Sequence, residues 1–344
     1  MTEGTPRAVC WLRPEQSGVV ARVLDRAGIK PVKAGSPDSA STGRAAQELA
    51  CEPCDDLRTA LTSGDIDLIL IATPGDFGHA ELDQDMGALQ QARARAVPVA
   101  TLEPIPDSAM ALAGTRWGES LDNGSLADLI RFAPRTRRTP AIDELHALLE
   151  TFGVPRSGAI GMHGPGVLGS LGARVFDAMD LTRALFGVPE AIDACCVTPA
   201  IGRGIHQVPG ETLRSLTGDL TAHLRFSDGR SLTMHLSDQA VRSSFDLRLI
   251  GPEGIVDTSP ERITWQHASG EIDETAVRCT QTESDDPGEA ALVTQLKALC
   301  AGVGPKHAPI DYAGVLSMTH AALLSCRTGQ GESPETIRRL MQSA

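Results

Sequence analysis

Between Ile66 and Pro106 the chain carries an apolar run, a helical stretch and a second apolar run. That order leaves few folds open. Ile66, Leu68, Ile69, Leu70 and Ile71 leave neither face of a strand polar, as in a strand buried within a parallel sheet. Thr73-Pro74 stops the run, because proline donates nothing to a ladder and restricts the residue before it. Residues 79–96 have helical composition, and 97–100 reads as a second short strand. Strand, turn, helix, strand is a βαβ unit. In such sheets ligands bind beyond the carboxyl ends of the strands. Those ends, Thr73-Pro74 and Leu102-Glu103-Pro104, mark where a site belongs.

The flanking sequence extends this pattern. A strand is predicted at 7–12 and a helix over 18–27, with Ser17 as its cap and Gly28 as its stop. A strand over 31–34, helices over 44–50 and from Asp55 or Asp56 to 63, a helix from Asp107 and a strand over 126–132 complete an alternating series. Alternation implies a doubly wound parallel sheet. After about residue 155 the pattern changes. A helix over 167–187 precedes strands at 191–197, 219–226, 231–237, 245–250, 254–258 and 262–266, with Asp228-Gly229 as a hairpin turn. Helices over 289–301 and 312–327 close the chain. The fold class expected is α/β followed by α+β: a Rossmann-like parallel sheet, then an open, mainly antiparallel sheet.

Composition bounds the partners. The 344 residues exceed what one core usually serves. A net charge of −13 disfavours nucleic acid and anionic membrane, which call for a basic surface. No apolar run reaches the ~18–20 residues of a membrane span, and MTEGTPRAVCWL lacks the layout of a secretion signal, so a cytoplasmic protein is expected. Cys51 and Cys54 form a C-x-x-C without a second pair, so free thiols and no metal are expected.

Six strings, in their order and spacing, resemble the Gfo/Idh/MocA family of NAD(P)-dependent oxidoreductases over nearly the whole chain. They are DLILIATPGDFGHAEL (67–82), LEPIP (102–106), RFAPRTRRTPAIDEL (131–145), GVLGSLGARVFDAMDLTRALFG (166–187), AHLRFSDGR (222–230) and AALLSCRTGQ (321–330). The resemblance implies a dinucleotide-binding domain at 1–125, a substrate and oligomerisation domain at 126–310, and a C-terminal helix at 311–344 that returns to the first domain. It also implies NAD(P) as cofactor, held at Gly18, Ser36, Thr73 and Pro74, oxidation of a hydroxyl on a sugar or inositol, and assembly through the open sheet. An apolar outer face over 219–258 is the expected driving force for that assembly.

The chain departs from the family at four places. The glycine-rich G-x-G-x-x-G loop, whose glycines let backbone approach a pyrophosphate, falls on Arg13, Glu15 and Gly18. Glu15 sets a carboxylate against two phosphates; one such pair at ~4 Å costs ~1 kcal/mol in water and ~4 at an effective dielectric of ~20. Ser36 stands where an acidic residue would bind the ribose. The catalytic lysine of Glu-Lys-Pro is missing from Glu103-Pro104, and no lysine lies between Lys33 and Lys297. Loss of a positioned acid or base typically costs ~10²–10⁴-fold in rate. The Asp-x-Gly-x-His string falls on Ser170, Gly172 and Arg174, with Asp177 beyond. Arginine stays protonated and cannot act as the base.

Glu103, His79, Arg174 and Asp177 are therefore the candidates for catalysis. Ser170, Arg174 and Asp177 share one helix face, either as an anion-binding arginine held by Asp177 or as a plain intrahelical ion pair. His163 is expected in a solvated loop, the cluster Arg131, Arg135, Arg137 and Arg138 at a solvated helix entry, and Tyr312 in packing. Two functions follow. The first is a degenerate member, a non-catalytic binding protein for a small, anionic ligand, acting as a homo-oligomer or as the subunit of a related oxidoreductase. The second is an active NAD(P)-dependent oxidoreductase in which Glu103, His79 or His163 supplies acid/base chemistry.

Overall fold

A computed structural model of the chain describes residues 4–78, 82–112, 129–198, 209–210, 212–214, 216–277, 286–303 and 308–343. The first sheet is built from Arg7–Trp11 (β1), Lys30–Gly35 (β2), Glu52–Pro53 (β3), Leu68–Ile71 (β4), Val99–Thr101 (β5) and Arg131–Phe132 (β6). All neighbours are parallel, in the order β3-β2-β1-β4-β5-β6. That is the Rossmann order, with its crevice where the order reverses between β1 and β4. All four residues of β4 are buried, as its two-sided apolar sequence requires. Helices Ser17–Ala27 (α1), Thr42–Glu48 (α2), Leu57–Thr62 (α3) and Leu82–Ala94 (α4) connect the strands. Because β6 lies at 131–132, the parallel sheet outruns the expected boundary at 125. His79, and 126–128 of the strand expected at 126–132, lie outside the described residues.

After the short helix Ala109–Leu112 (α5) and Pro140–Phe152 (α6) comes the second sheet. Its strands are Ser157–Pro165 (β7), Ala191–Val197 (β8), Asp219–Arg225 (β9), Ser231–Ser237 (β10), Gln239–Gly251 (β11), Gly254–Thr258 (β12), Arg262–His267 (β13) and Ile272–Ala276 (β14). The order is β14-β13-β12-β11-β7-β10-β9-β8, with only β7 and β10 parallel. Leu171–Leu185 (α7) and Tyr312–Thr328 (α9) pack under it, with Pro287–Cys300 (α8) and Pro334–Ser343 (α10) beside them.

One expectation changes. Strand alternation sends Leu220, Ala222, Leu224, Leu232, Met234 and Leu236 inward and leaves Thr221, His223, Thr233 and His235 on the open face. Over β9 and β10 that face is polar, while β11 leaves Val241 exposed. Helix α8 reaches the first domain by lying on α1 through Arg22 and Glu289, while α9 and α10 meet α5 at 109–112 and α9 also packs on β8 and α7.

Candidate functional site

The carboxyl ends of β1, β2 and β4 bring Gly18, Ser36, Thr73 and Pro74 around one groove. Glycine-loop geometry does not form there. Pro14–Gln16 winds a 3₁₀ turn straight into α1, and Gln16, 1% exposed, is driven across the groove. Its amide accepts from Thr73 Oγ1 at 2.7 Å and from the Arg13 backbone N–H at 3.0 Å. It donates to the carbonyls of Ala72 at 3.3 Å and Val167 at 3.4 Å, so it ties β1, β4 and the second domain together. Glu15 of this turn pairs with Arg44 of α2 at 3.0 Å. Beyond β4, Gly75 lies against Pro37, so close that a Cβ on Gly75 would sit 2.6 Å from the proline ring. Arg214 donates to the carbonyls of Gly75 and Phe77 and pairs with Asp107 at 2.9 Å, which straps the β4 loop to the second domain. Gly18 is exposed and nothing presses on it: a Cβ there meets no atom closer than 3.9 Å. Ser17 Oγ, Ser36 Oγ and Thr42 Oγ1 are buried along the same groove without a hydrogen-bond partner.

Glu103 follows β5 and turns toward the start of α7. Its carboxylate accepts from the Ser170 backbone N–H at 2.8 Å and from Ser170 Oγ at 2.6 Å. Ser170 Oγ in turn accepts from the Ala173 N–H, so one serine caps the helix and holds the glutamate. Burial raises the Glu103 carboxyl to about 6, against the lowering effect of the Ser170 bonds, Arg174 and Arg13. Arg174 departs from the expected pairing with Asp177. Its guanidinium donates to the carbonyls of Gly169, Ser170 and Pro165, so it stitches the turn that leads from β7 into α7. Asp177 instead accepts from Thr136, from the backbone N–H at 3.0 Å and from Oγ1 at 2.5 Å. Burial pushes its carboxyl up to about 7; Asp180 adds to the rise, while Thr136 and Arg135 oppose it.

The arginine cluster is not a solvated helix entry. Arg135 is 1% exposed and grips Asp180 with two bonds of 2.5 and 2.9 Å, which fastens the segment after β6 to α7. Arg137 lies 3.8 Å from the same carboxylate. Arg138 Nε is buried without a hydrogen-bond partner, and its side chain makes no ion pair among the described residues. It faces a cavity of about 260 Å³ between α7, α8 and the second sheet. Leu102, Phe132, Met162 and Phe245 supply apolar wall, and Asp177 and Arg174 lie at its edge. His163 reaches the same cavity from β7, not from a loop; its ring contacts Ser244 Oγ and His235 Nδ1, each at 3.1 Å. Burial and His235 lower its pKa. Tyr312 is fully buried against Phe176. Nothing in a sequence marks Arg138 off from Arg135 and Arg137, since their difference arises only from where each turn of backbone points.

Among the described residues no group of three or more His, Cys, Asp or Glu side chains is placed to hold a metal ion, and no helix is long and apolar enough to cross a membrane. No family model and no curated protein matches the sequence. Solved structures do match. An oxidoreductase from Agrobacterium radiobacter, in complex with NAD+, L-tartaric acid and magnesium, superposes with a TM-score of 0.66 at 12% identity, over 97% of this chain and 100% of that one. A levoglucosan dehydrogenase in complex with NADH and levoglucosan gives 0.62 at 14%, over 95% and 98%. GenD2 from gentamicin A biosynthesis, in complex with NAD, gives 0.62 at 17%, over 97% of both chains. The fold is that of the Gfo/Idh/MocA-type dehydrogenases.

Proposed function

We propose that this chain keeps the dehydrogenase fold without hydride transfer and serves as a binding protein for a small ligand held between its two sheets. The observation that carries the reading is the groove beyond β1, β2 and β4. The chain's own contacts cross it at three points: Gln16 to Thr73 and Val167, Glu15 to Arg44, and Pro37 to Gly75. A pyrophosphate needs free backbone N–H groups and a close glycine approach. Here Arg13 N–H is spent on Gln16, and Glu15 supplies a side chain and a negative charge. The residues present do not fit a dinucleotide in this arrangement. At the place of chemistry, Glu103 is engaged by Ser170, Arg174 by three carbonyls, and there is no lysine between Lys33 and Lys297.

A second reading has its own support. The unpartnered hydroxyls of Ser17, Ser36 and Thr42 line the groove, and Glu103 and Asp177 titrate in a range suited to acid/base work. On that reading the protein is an NAD(P)-dependent oxidoreductase with a rebuilt site. Titration with NADH and NADPH, followed by nicotinamide fluorescence and thermal shift, separates the two. No binding of either up to millimolar concentration is expected; micromolar binding of either overturns the first reading.

A further inference from the structure

Buried guanidinium groups are costly unless paired, because removal from water penalises the charge and each unmet donor adds to the loss. Among the described residues Arg135 meets this cost with Asp180, Arg137 shares that carboxylate, and Arg174 meets it with carbonyls. The Arg138 side chain is half-buried and makes no hydrogen bond or ion pair among the described residues; its Nε, like that of Arg137, is buried without a partner. Burial, together with the like charges of Arg135 and Arg131, lowers its pKa to about 10 against the opposing effect of Asp180. A half-buried guanidinium kept without a hydrogen-bonded partner is a feature that folding alone does not explain.

Its position supplies the reason. Phe132, Arg138, Pro140, Thr294 and Gln295 line both the cavity of about 260 Å³ and a second one of about 560 Å³ behind it, which also holds Arg93 and Arg131. Arg138 therefore stands in the wall between a mostly apolar chamber and an antechamber lined by Arg93, Arg131 and Asp143. The first chamber offers one unspent guanidinium and a mostly aliphatic and aromatic lining, which suits a single flat anionic group on an apolar body. A phosphate, with up to two negative charges, would ask for more positive charge than Arg138 alone supplies.

We propose that the cavity is a receptor site for a small organic monocarboxylate, with its carboxylate on Arg138 and its apolar body among Leu102, Phe132, Met162 and Phe245. This deepens the binding-protein reading and rests on it only in taking the cavity as the ligand site. Asp177 faces the same space and is largely protonated below about 7, so an assay near pH 6 limits its repulsion of an anion.

The test is calorimetry and thermal shift near pH 6 with benzoate and hexanoate, against benzamide, hexanamide and inorganic phosphate, on the wild type, Arg138→Gln and Arg138→Lys. The two carboxylates are expected to bind and to raise the melting temperature, with the amides about tenfold or more weaker and phosphate weaker still. Arg138→Gln is expected to erase the preference for carboxylate over amide without lowering the melting temperature of the free protein, and Arg138→Lys to keep part of it. Equal binding of amides and carboxylates overturns the anion assignment and leaves the cavity as a ligand site. Phosphate binding tighter than either carboxylate overturns the apolar-body assignment. Failure of all five probes overturns the receptor site itself, and the separate NADH and NADPH titration still decides the parent reading. A marked loss of melting temperature in Arg138→Gln makes the guanidinium a structural group and also overturns the proposal.

Discussion

Glu103, Arg174 and Asp177, three of the candidates for catalysis, make their hydrogen bonds to structural partners. Glu103 and Asp177 are both carboxyls raised by burial, and that has a consequence for stability. Each binds its proton more tightly folded than unfolded, so its favourable contribution is complete below the unfolded value and is lost as pH rises through the folded one. For Glu103 the window runs from 4.5 to about 6, and for Asp177 from 3.8 to about 7. Melting temperature should therefore fall between pH 5 and pH 8 by more than in Glu103→Gln, whose amide can still accept from the Ser170 N–H. Melting curves across that range check it, and an unchanged slope in the variant would remove Glu103 as a cause. Arg135 is a different case. Replacing it with Met leaves Asp180 buried beside a single arginine at 3.8 Å, and loss of one partner of a buried pair typically costs ~3–5 kcal/mol. Denaturant titration should show a loss of that order.

At the scale of elements, the start of α7 decides how the two sheets meet. Ser170 caps α7 and binds Glu103 from the end of β5, so one hydroxyl serves both a helix terminus and an inter-domain contact. Ser170→Ala should lose ~1 kcal/mol for the cap and ~1–3 more for the carboxylate left with one donor. Ser170→Thr, which keeps the hydroxyl, should recover most of it in the same unfolding assay. The strand β7 shows why sequence reading fails at some elements. It is the centre of the second sheet, yet its sequence SGAIGMHGP carries three glycines and no alternation. Glycine weakens a strand signal, but here it makes room: a Cβ on Gly161 would sit 2.4 Å from the Asp246 carboxylate, and one on Gly164 2.6 Å from Arg174. The strands β8, β10 and β12 were legible because their alternation and hairpin signals are local. The arginines of 131–138 were not, because burial sorts them by direction and not by spacing.

Across the molecule the two sheets are joined by Glu103 to Ser170, Arg135 to Asp180, Arg214 to Asp107 and Gln16 to Val167. With so many ties, unfolding should be a single transition: fluorescence of Trp11 in the first sheet and Trp265 in the second should lose native signal together with far-ultraviolet circular dichroism. Separate midpoints would show that the ties do not couple the two halves. The sequence by itself determined the parallel unit of β4, α4 and β5, the change to antiparallel strands after it, and the absence of glycine loop and lysine. All of these depend on neighbours in the chain, on the period of side-chain burial and on residue identity. Only the tertiary structure decided that Gln16 lies across the groove, that Arg174 binds carbonyls and Asp177 binds Thr136, that β9 and β10 turn a polar face outward, and that Arg138 alone among its neighbours faces a cavity unpaired. Those outcomes depend on which distant groups converge and on how burial reprices each charge, and neither is written in local spacing.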